Sequence, residues 1–212
     1  PARNGRSGGF WRGLATRVMR HPVLVAAPVA AFLLLLGAPF LGVKLGTSWS
    51  TVLPVGAEPR EGWEKVESDF GQGELTPIAV VVQAPGSVLK PEVVGALYDF
   101  ARKLAQDPRV ERVESIVTLD PSITKEQYQQ MYGAPQLIPF PHVQKALAAF
   151  GSGDVTVVRI FSKYSVVSDE TKALVADVRA QSREIGAGVT TLLTGATADL
   201  EDMSHVMYQY FP

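Results

Sequence analysis

The first feature of the chain is a long apolar run from Pro22 to Val43 that contains no charged position. A helix rises about 1.5 Å per residue, so a run of this length extends roughly 33 Å and matches a bilayer core of about 30 Å. A soluble core helix of that length would show a polar face, and a signal peptide has a shorter apolar region. The pattern predicts a transmembrane helix over residues 22–43. An uncleaved signal anchor and a buried core helix are the alternatives.

Prolines punctuate this predicted helix. Pro22 falls in the first turn, where a missing N–H costs nothing, and Pro39 falls close to the end. Pro28 lies in the interior and predicts a kink, which a membrane helix tolerates when neighbouring helices satisfy the freed carbonyl. We therefore expect this helix to have neighbours.

Beyond the apolar run, the pattern alternates between strand and helix periods. Residues 44–75 indicate a linker and a short helix, and Ser168 is the expected N-cap of a later helix. The strand-like segments are 77–84, 110–119, 154–164 and 188–195, and helical segments follow the first and third of them. The predicted fold class is a membrane protein of α+β type. It has one N-terminal transmembrane helix, followed over residues 76–195 by a ferredoxin-like β-α-β-β-α-β sandwich with a helical insertion.

The insertion, residues 120–153, contains two short helical patterns around a proline-broken loop. Its apolar residues are Leu137, Ile138, Phe140 and Phe150. These side chains either line a hydrophobic path or contact another subdomain, or they cover the open end of their own sheet. Both interpretations remain open.

The last segment, residues 196–212, has the pattern of a helix with Thr197 as its expected N-cap. The pattern still runs where the sequence stops. We expect a fragment in which this helix leads toward a further span.

Charge is distributed unevenly along the 212 residues, although the net charge is only −1. No acidic residue precedes Glu58, whereas several arginines precede the apolar run. The excess of arginine before the run predicts a cytoplasmic N-terminus, with residues after about 45 outside the cytoplasm.

Residues 1–21 form a basic linker with an amphipathic pattern, and aromatic residues flank the predicted span on both sides. The predicted membrane-interface residues are Trp11, Arg17, Arg20 and Trp49. The arginines either meet anionic headgroups or set the topology alone, and the sequence leaves both open.

Residue types that carry chemistry are sparse. With no cysteine, the chain has no disulfide, thiolate metal site or cysteine nucleophile. His21, His142 and His205 lack metal-ligand spacing, and no phosphate-binding loop or nucleophile elbow is present. We expect no enzyme activity, no metal and no cofactor. The uncharged span also offers no proton-relay residue.

The segment GFWRGLATRVMRHPVLVAAPVAAFLLLLGAPFLGVKLG, followed by STVLPVGAEPREGWEKVESDFGQGELTPIAVVVQ, combines a basic aromatic entry, an Arg-His-Pro turn, an apolar span, a Val-Leu-Pro turn and an amphipathic helix ending in phenylalanine. With the closing TGATADLED, this order resembles the MMPL (mycobacterial membrane protein large) family of the resistance–nodulation–division (RND) superfamily. The lead PARNGRSGG resembles the junction into the family's second half. The resemblance therefore implies span 7 and the second porter subdomain.

The resemblance implies export of lipids, drugs or other hydrophobic molecules across a bacterial cytoplasmic membrane, driven by the proton motive force. The implied partners are the other spans and first porter subdomain of the same transporter, membrane lipids and the hydrophobic substrate, but no nucleic acid. The family's proton-carrying Asp/Tyr pairs belong to other spans and are assigned to no residue here. A single-span membrane-anchored extracytoplasmic binding or adaptor domain is the alternative function.

Overall fold

A computed structural model of the chain describes residues 7–39, 50–134 and 141–210. The chain divides into two compact units, Pro1–Leu45 and Gly46–Pro212.

The first unit contains two helices, α1 (Ser7–Arg20) and α2 (Pro22–Gly37). Pro22 lies in the first turn of α2, as predicted, and α2 continues through Pro28. No residue of α2 is buried within the unit. Helix α2 ends at Gly37, six residues before the predicted end at 43. Of those six residues, 40–43 lie outside the described part of the chain.

The two helices meet at a sharp bend of 99°. No single helix among the described residues is both long enough and apolar enough to cross a bilayer. The pair formed by Trp11–Arg20 and Pro22–Gly37 meets those two requirements together.

In the second unit, a short 3-10 helix (Ser50–Val52) precedes α3 (Glu58–Phe70), which has no buried residue. It is followed by β1 (Ile78–Gln83), α4 (Pro91–Ala105), β2 (Val110–Glu114), α5 (Lys125–Gly133), α6 (Pro141–Phe150), β3 (Gly151–Ser152), β4 (Val155–Ser162), α7 (Asp169–Ser182), β5 (Thr190–Thr194) and α8 (Ala196–Tyr210).

The sheet has the strand order β2-β4-β1-β5, with every neighbouring pair antiparallel and the short β3 paired to β4. Its central register places Val80 opposite Val158 on one side and opposite Leu193 on the other. The α+β class predicted from the sequence is therefore confirmed, and so is the order of its six main elements.

The core lies between one face of this sheet and the helices. Ile78, Val80 and Val82 alternate along β1 and are all buried. The predicted inner faces of α4 and α7 are buried as well. They comprise Val93, Val94, Leu97, Phe100, Ala101 and Leu104 in α4, and Leu174, Val175 and Val178 in α7. The predicted N-cap is confirmed, since Ser168 Oγ accepts a hydrogen bond of 3.1 Å from the Thr171 N–H.

Two local predictions are wrong. The strand predicted to reach residue 119 ends at Glu114, because the Ser115 N–H donates to Thr118 Oγ1 at 2.7 Å and closes a turn. Thr197 does not cap α8, because it lies inside the first turn and its hydroxyl donates to the Val166 carbonyl at 2.8 Å. The Gly195 carbonyl accepts the first helical hydrogen bond there instead.

The close approach of Gly73 to β4 generates a stability prediction. A Cβ on Gly73 would lie 2.3 Å from the carbonyl oxygen of Ser162, so Gly73→Ala forces the backbone to move. We expect it to lower the free energy of unfolding by about 1–3 kcal/mol, as overpacking does. The measurement is thermal unfolding of the full chain in detergent, followed by circular dichroism.

The matched control is Gly62→Ala in α3, where a Cβ would meet no atom within 4 Å. This change leaves the unfolding midpoint unchanged or raises it, because alanine favours a helix over glycine. Equal midpoints for Gly73→Ala and the parent chain would contradict the close packing of Gly73.

Candidate functional site

Helix α1 has two distinct faces. Trp11, Leu14 and Val18 recur at intervals of three and four residues and lie on one face, where Trp11 is 65% exposed. The opposite face carries a shallow groove of about 570 Å³. It is lined by Gly9, Arg12, Gly13, Thr16, Arg17 and Arg20 of α1 and by His21, which follows the helix.

The structure places the predicted interface residues Arg17 and Arg20 on the grooved face, exposed, and Trp11 on the apolar face. Trp49 lies outside the described residues. The site prediction missed Arg12, although its spacing of eight residues from Arg20 places it two turns away on the same face.

In the insertion, α5 is built into the core by two tyrosines one turn apart. Tyr128 and Tyr132 are both buried. The Tyr128 hydroxyl accepts from the Asp120 N–H at 3.0 Å and donates to the Asp120 carbonyl at 3.2 Å, and the Tyr132 hydroxyl donates to the Ile116 carbonyl. The tyrosine rings contact each other with centroids 5.8 Å apart.

Helix α5 packs closely on α4 because Gly95 leaves room for it. A Cβ on Gly95 would lie 2.6 Å from the side-chain nitrogen of Gln129. That nitrogen donates to the Pro91 carbonyl at 2.7 Å, and Lys125 pairs with Asp99 at 2.5 Å. Helix α5 is thus fixed to the sandwich by packing, a hydrogen bond and an ion pair.

Helix α6 joins the same core at both of its ends. Val143 is buried, and Phe150 is half-buried against the core cluster. The Arg159 guanidinium lies 5.0 Å from the centre of the Phe150 ring. The other predicted path residues, Leu137, Ile138 and Phe140, lie outside the described residues, so their role stays a prediction.

The sheet face opposite the core carries an ion-pair cluster beside the edge strand β2. Arg112 pairs with Glu74 at 2.7 Å and with Glu114 at 3.0 Å, and its guanidinium stacks 3.7 Å from the centre of the Phe161 ring. The hydrogen bond from Arg112 holds the pKa of Glu74 below its usual range. This cluster covers Phe161 and closes that edge.

The middle of the same sheet face carries an apolar row. Val81 lies opposite Val157 and opposite Leu192, one residue out of phase with the buried positions of β1. Both valines are half-exposed and Leu192 is 69% exposed. Sequence reasoning missed this row, although the consecutive apolar positions of β1 and β4 are its signal.

A shallow cleft of about 500 Å³ lies where α4, α5 and the end of α7 meet. Its charged lining contains both signs, with Lys103 and Lys125 beside Glu92, Asp99 and Glu184. In the described ranges, no group of three or more histidine or acidic side chains is placed to hold a metal ion.

Comparison with known proteins gives one consistent class. No protein-family model matches the chain. The transport protein MmpL10 of Mycobacterium leprae is 26% identical over 194 residues, which cover 90% of this chain and 18% of that protein. A membrane protein of Streptomyces coelicolor is 30% identical over 150 residues, which cover 71% of this chain and 17% of that protein.

The trehalose monomycolate exporter MmpL3 of Mycobacterium tuberculosis is 35% identical over 75 residues, which cover 35% of this chain and 8% of the exporter. Two of these relatives are thus named as a transport protein and an exporter, and the third as a membrane protein. The MMPL resemblance is confirmed, and the chain is a homologue of a segment of MmpL-type transporters. It spans about a fifth or less of the length of the curated relatives it matches.

The buried tyrosines predict a loss of stability in alkali. Desolvation by burial raises the pKa of both Tyr128 and Tyr132, so the folded domain holds these protons more tightly than the unfolded chain. Their contribution to stability is complete below the ordinary tyrosine pKa of about 10 and is lost as the pH rises through the raised values. We expect the Tyr128→Phe/Tyr132→Phe double variant to lose less unfolding free energy between pH 8 and pH 11.5 than the parent chain.

Denaturant unfolding at the two pH values measures this difference. Any pH-independent cost of the substitutions cancels when each protein is compared with itself. An equal alkaline loss in both proteins would contradict burial of these hydroxyls.

Proposed function

We propose that the chain is a fragment of a proton-driven exporter of lipids or other hydrophobic molecules across the cytoplasmic membrane. In this proposal, residues 22–43 form an anchor span, and residues 76–195 form an extracytoplasmic porter subdomain. Residues 196–212 lead toward the next span. The observation that carries the proposal is the homology to MmpL-type transporters over 90% of the chain, including both the apolar helix and the sandwich.

The architecture of the second unit supports the porter assignment. Its β-α-β-β-α-β element order and its antiparallel sheet order β2-β4-β1-β5 are those of a ferredoxin-like domain. MmpL3 is named as an exporter of trehalose monomycolate, a lipid, which supports a hydrophobic cargo here. We assign the chain to the start of the second half of the transporter, as its glycine- and arginine-rich lead resembles that junction.

The exposed row of Val81, Val157 and Leu192 supports a role for the sandwich as one wall of an assembly. Apolar side chains in adjacent strands form a contiguous patch suited to a neighbouring subdomain or a hydrophobic cargo. The described part of α2 carries no ionisable side chain. Proton movement is therefore assigned to other spans, and this segment supplies the anchor and the outer domain.

The proposed topology predicts the accessibility of single cysteines. The chain has no cysteine of its own, so each introduced thiol reports alone. Ala15→Cys in α1 and Gly153→Cys in the β3–β4 turn are both exposed in their own units. In intact cells, a membrane-impermeant maleimide is expected to label position 153 at once and position 15 only after permeabilisation.

Labelling of both positions in intact cells, or of neither, would contradict one span with an inside N-terminus. A reversed order, with position 15 labelled from outside, would contradict the orientation. Labelling after detergent lysis is the control that both thiols react.

The proposed role of the sheet face predicts an export defect in the full-length transporter that carries this segment. Leu192→Ser together with Val157→Ser makes the row polar without touching the buried face, and we expect export to fall at least about fivefold. Val167→Ser, at an exposed position outside the row, is the matched control and leaves export unchanged. Transporter abundance in the membrane is measured in parallel.

Unchanged export by the double variant at normal abundance would contradict the role of the row. The parallel pair Leu137→Ser/Phe140→Ser tests the insertion. Loss of export there favours the hydrophobic path, and unchanged export favours a covering role.

A further inference from the structure

Helix α1 carries its arginines on one face and its apolar residues on the other. Arg12, Arg17 and Arg20 all lie on the grooved face, and Trp11, Leu14 and Val18 lie opposite. A helix of this kind binds at a membrane surface, with its apolar side toward the acyl chains and its cations toward the headgroups.

The bend between the helices gives α1 the orientation that such binding requires. Helices α1 and α2 meet at 99°. With α2 along the bilayer normal, α1 runs nearly parallel to the membrane plane. This step rests on the proposed function, which places α2 across the membrane.

The three arginines have no counter-charge within the part of the chain that the structure describes. Elsewhere several arginines are paired: Arg109 with Asp107 and Asp177, Arg112 with Glu74 and Glu114, and Arg179 with Asp202. In contrast, no ion pair joins Arg12, Arg17 or Arg20 to a described residue, and no acidic residue occurs before Glu58. Their counter-charge must come from outside this segment.

The surface between the arginines suits a phosphate group. Gly9 and Gly13 have no side chain, and a Cβ at either would meet no atom within 4 Å, so the groove is open between the cations. The Thr16 hydroxyl is turned back onto the Arg12 carbonyl at 2.8 Å and does not fill the groove. Guanidinium groups pair phosphate oxygens in a bidentate geometry that a single ammonium does not offer.

We propose that α1 is an anionic-phospholipid-binding helix, in which Arg12, Arg17 and Arg20 hold headgroup phosphates of the cytoplasmic leaflet. A topological role alone needs positive charge before the span but does not depend on which helix face carries it. The segregation of all three arginines with two glycines on one face is what favours a specific contact.

The experiment uses the full chain reconstituted in phosphatidylcholine vesicles with trace spin-labelled lipid. Electron paramagnetic resonance measures the fraction of labelled phosphatidylglycerol or labelled phosphatidylcholine that is restrained by the protein. We expect the parent chain to restrain phosphatidylglycerol about fivefold more strongly, as each basic residue near an anionic lipid surface adds to the attraction. This preference is expected to fall at high ionic strength.

The test variant is Arg12→Gln/Arg17→Gln/Arg20→Gln, which is expected to reduce the preference to near unity. The matched control is Arg102→Gln/Lys103→Gln/Arg183→Gln, which removes the same charge from exposed positions of the second unit and keeps the preference. An equal preference in the parent and test variants, or an equal loss in both variants, would overturn the proposal.

Carbonate extraction of the same vesicles separates this proposal from the proposed function. Parent chain retained in the bilayer without a lipid preference would overturn the lipid site alone. Parent chain released by carbonate would overturn the span, and the orientation of α1 with it.

Discussion

The structure depends most on how the apolar surface of α2 is covered. The leucines from Leu33 to Leu36 are 58–76% exposed, and no residue of α2 is buried in its own unit. Removing one such side chain from water contributes about 1.5–3 kcal/mol, so the helix as a whole strongly favours a nonaqueous environment. Homology to membrane transport proteins supports a bilayer as that environment. A bilayer also explains why the apolar helix carries no charge and why arginines precede it.

The second unit differs from α2, because it buries its own apolar core between the sheet and the helices. The insertion joins β2 to β4, which are adjacent and antiparallel in the sheet, so the chain leaves and re-enters the sheet at the same end. Tyr128 and Tyr132 attach the insertion to the core through burial and hydrogen bonds to backbone groups. The insertion is therefore part of the same folded domain as the sheet.

The sequence predicted the elements whose signal is local. Apolar periodicity identified α4 and α7, and Ser168 is a cap because its hydroxyl acts within one turn. Features set by distant partners were missed: Thr197 bonds to Val166, and the register that exposes Leu192 depends on strand pairing. The buried tyrosines of α5 were missed because the segment is rich in glutamine and only two of its side chains, Tyr128 and Tyr132, are buried. On α1, Arg17 and Arg20 were predicted at the membrane interface, and the structure adds Arg12 to the same helix face.

The most direct test of the account is the immersion depth of spin labels placed singly along residues 22–43, in a chain that has no native cysteine. Relaxation by oxygen and by an aqueous nickel chelate reports depth in reconstituted vesicles. A membrane-spanning anchor predicts rising oxygen access and falling nickel access toward the middle of the segment near Phe32, and the reverse toward both ends. High nickel access throughout the segment would contradict a membrane-spanning anchor.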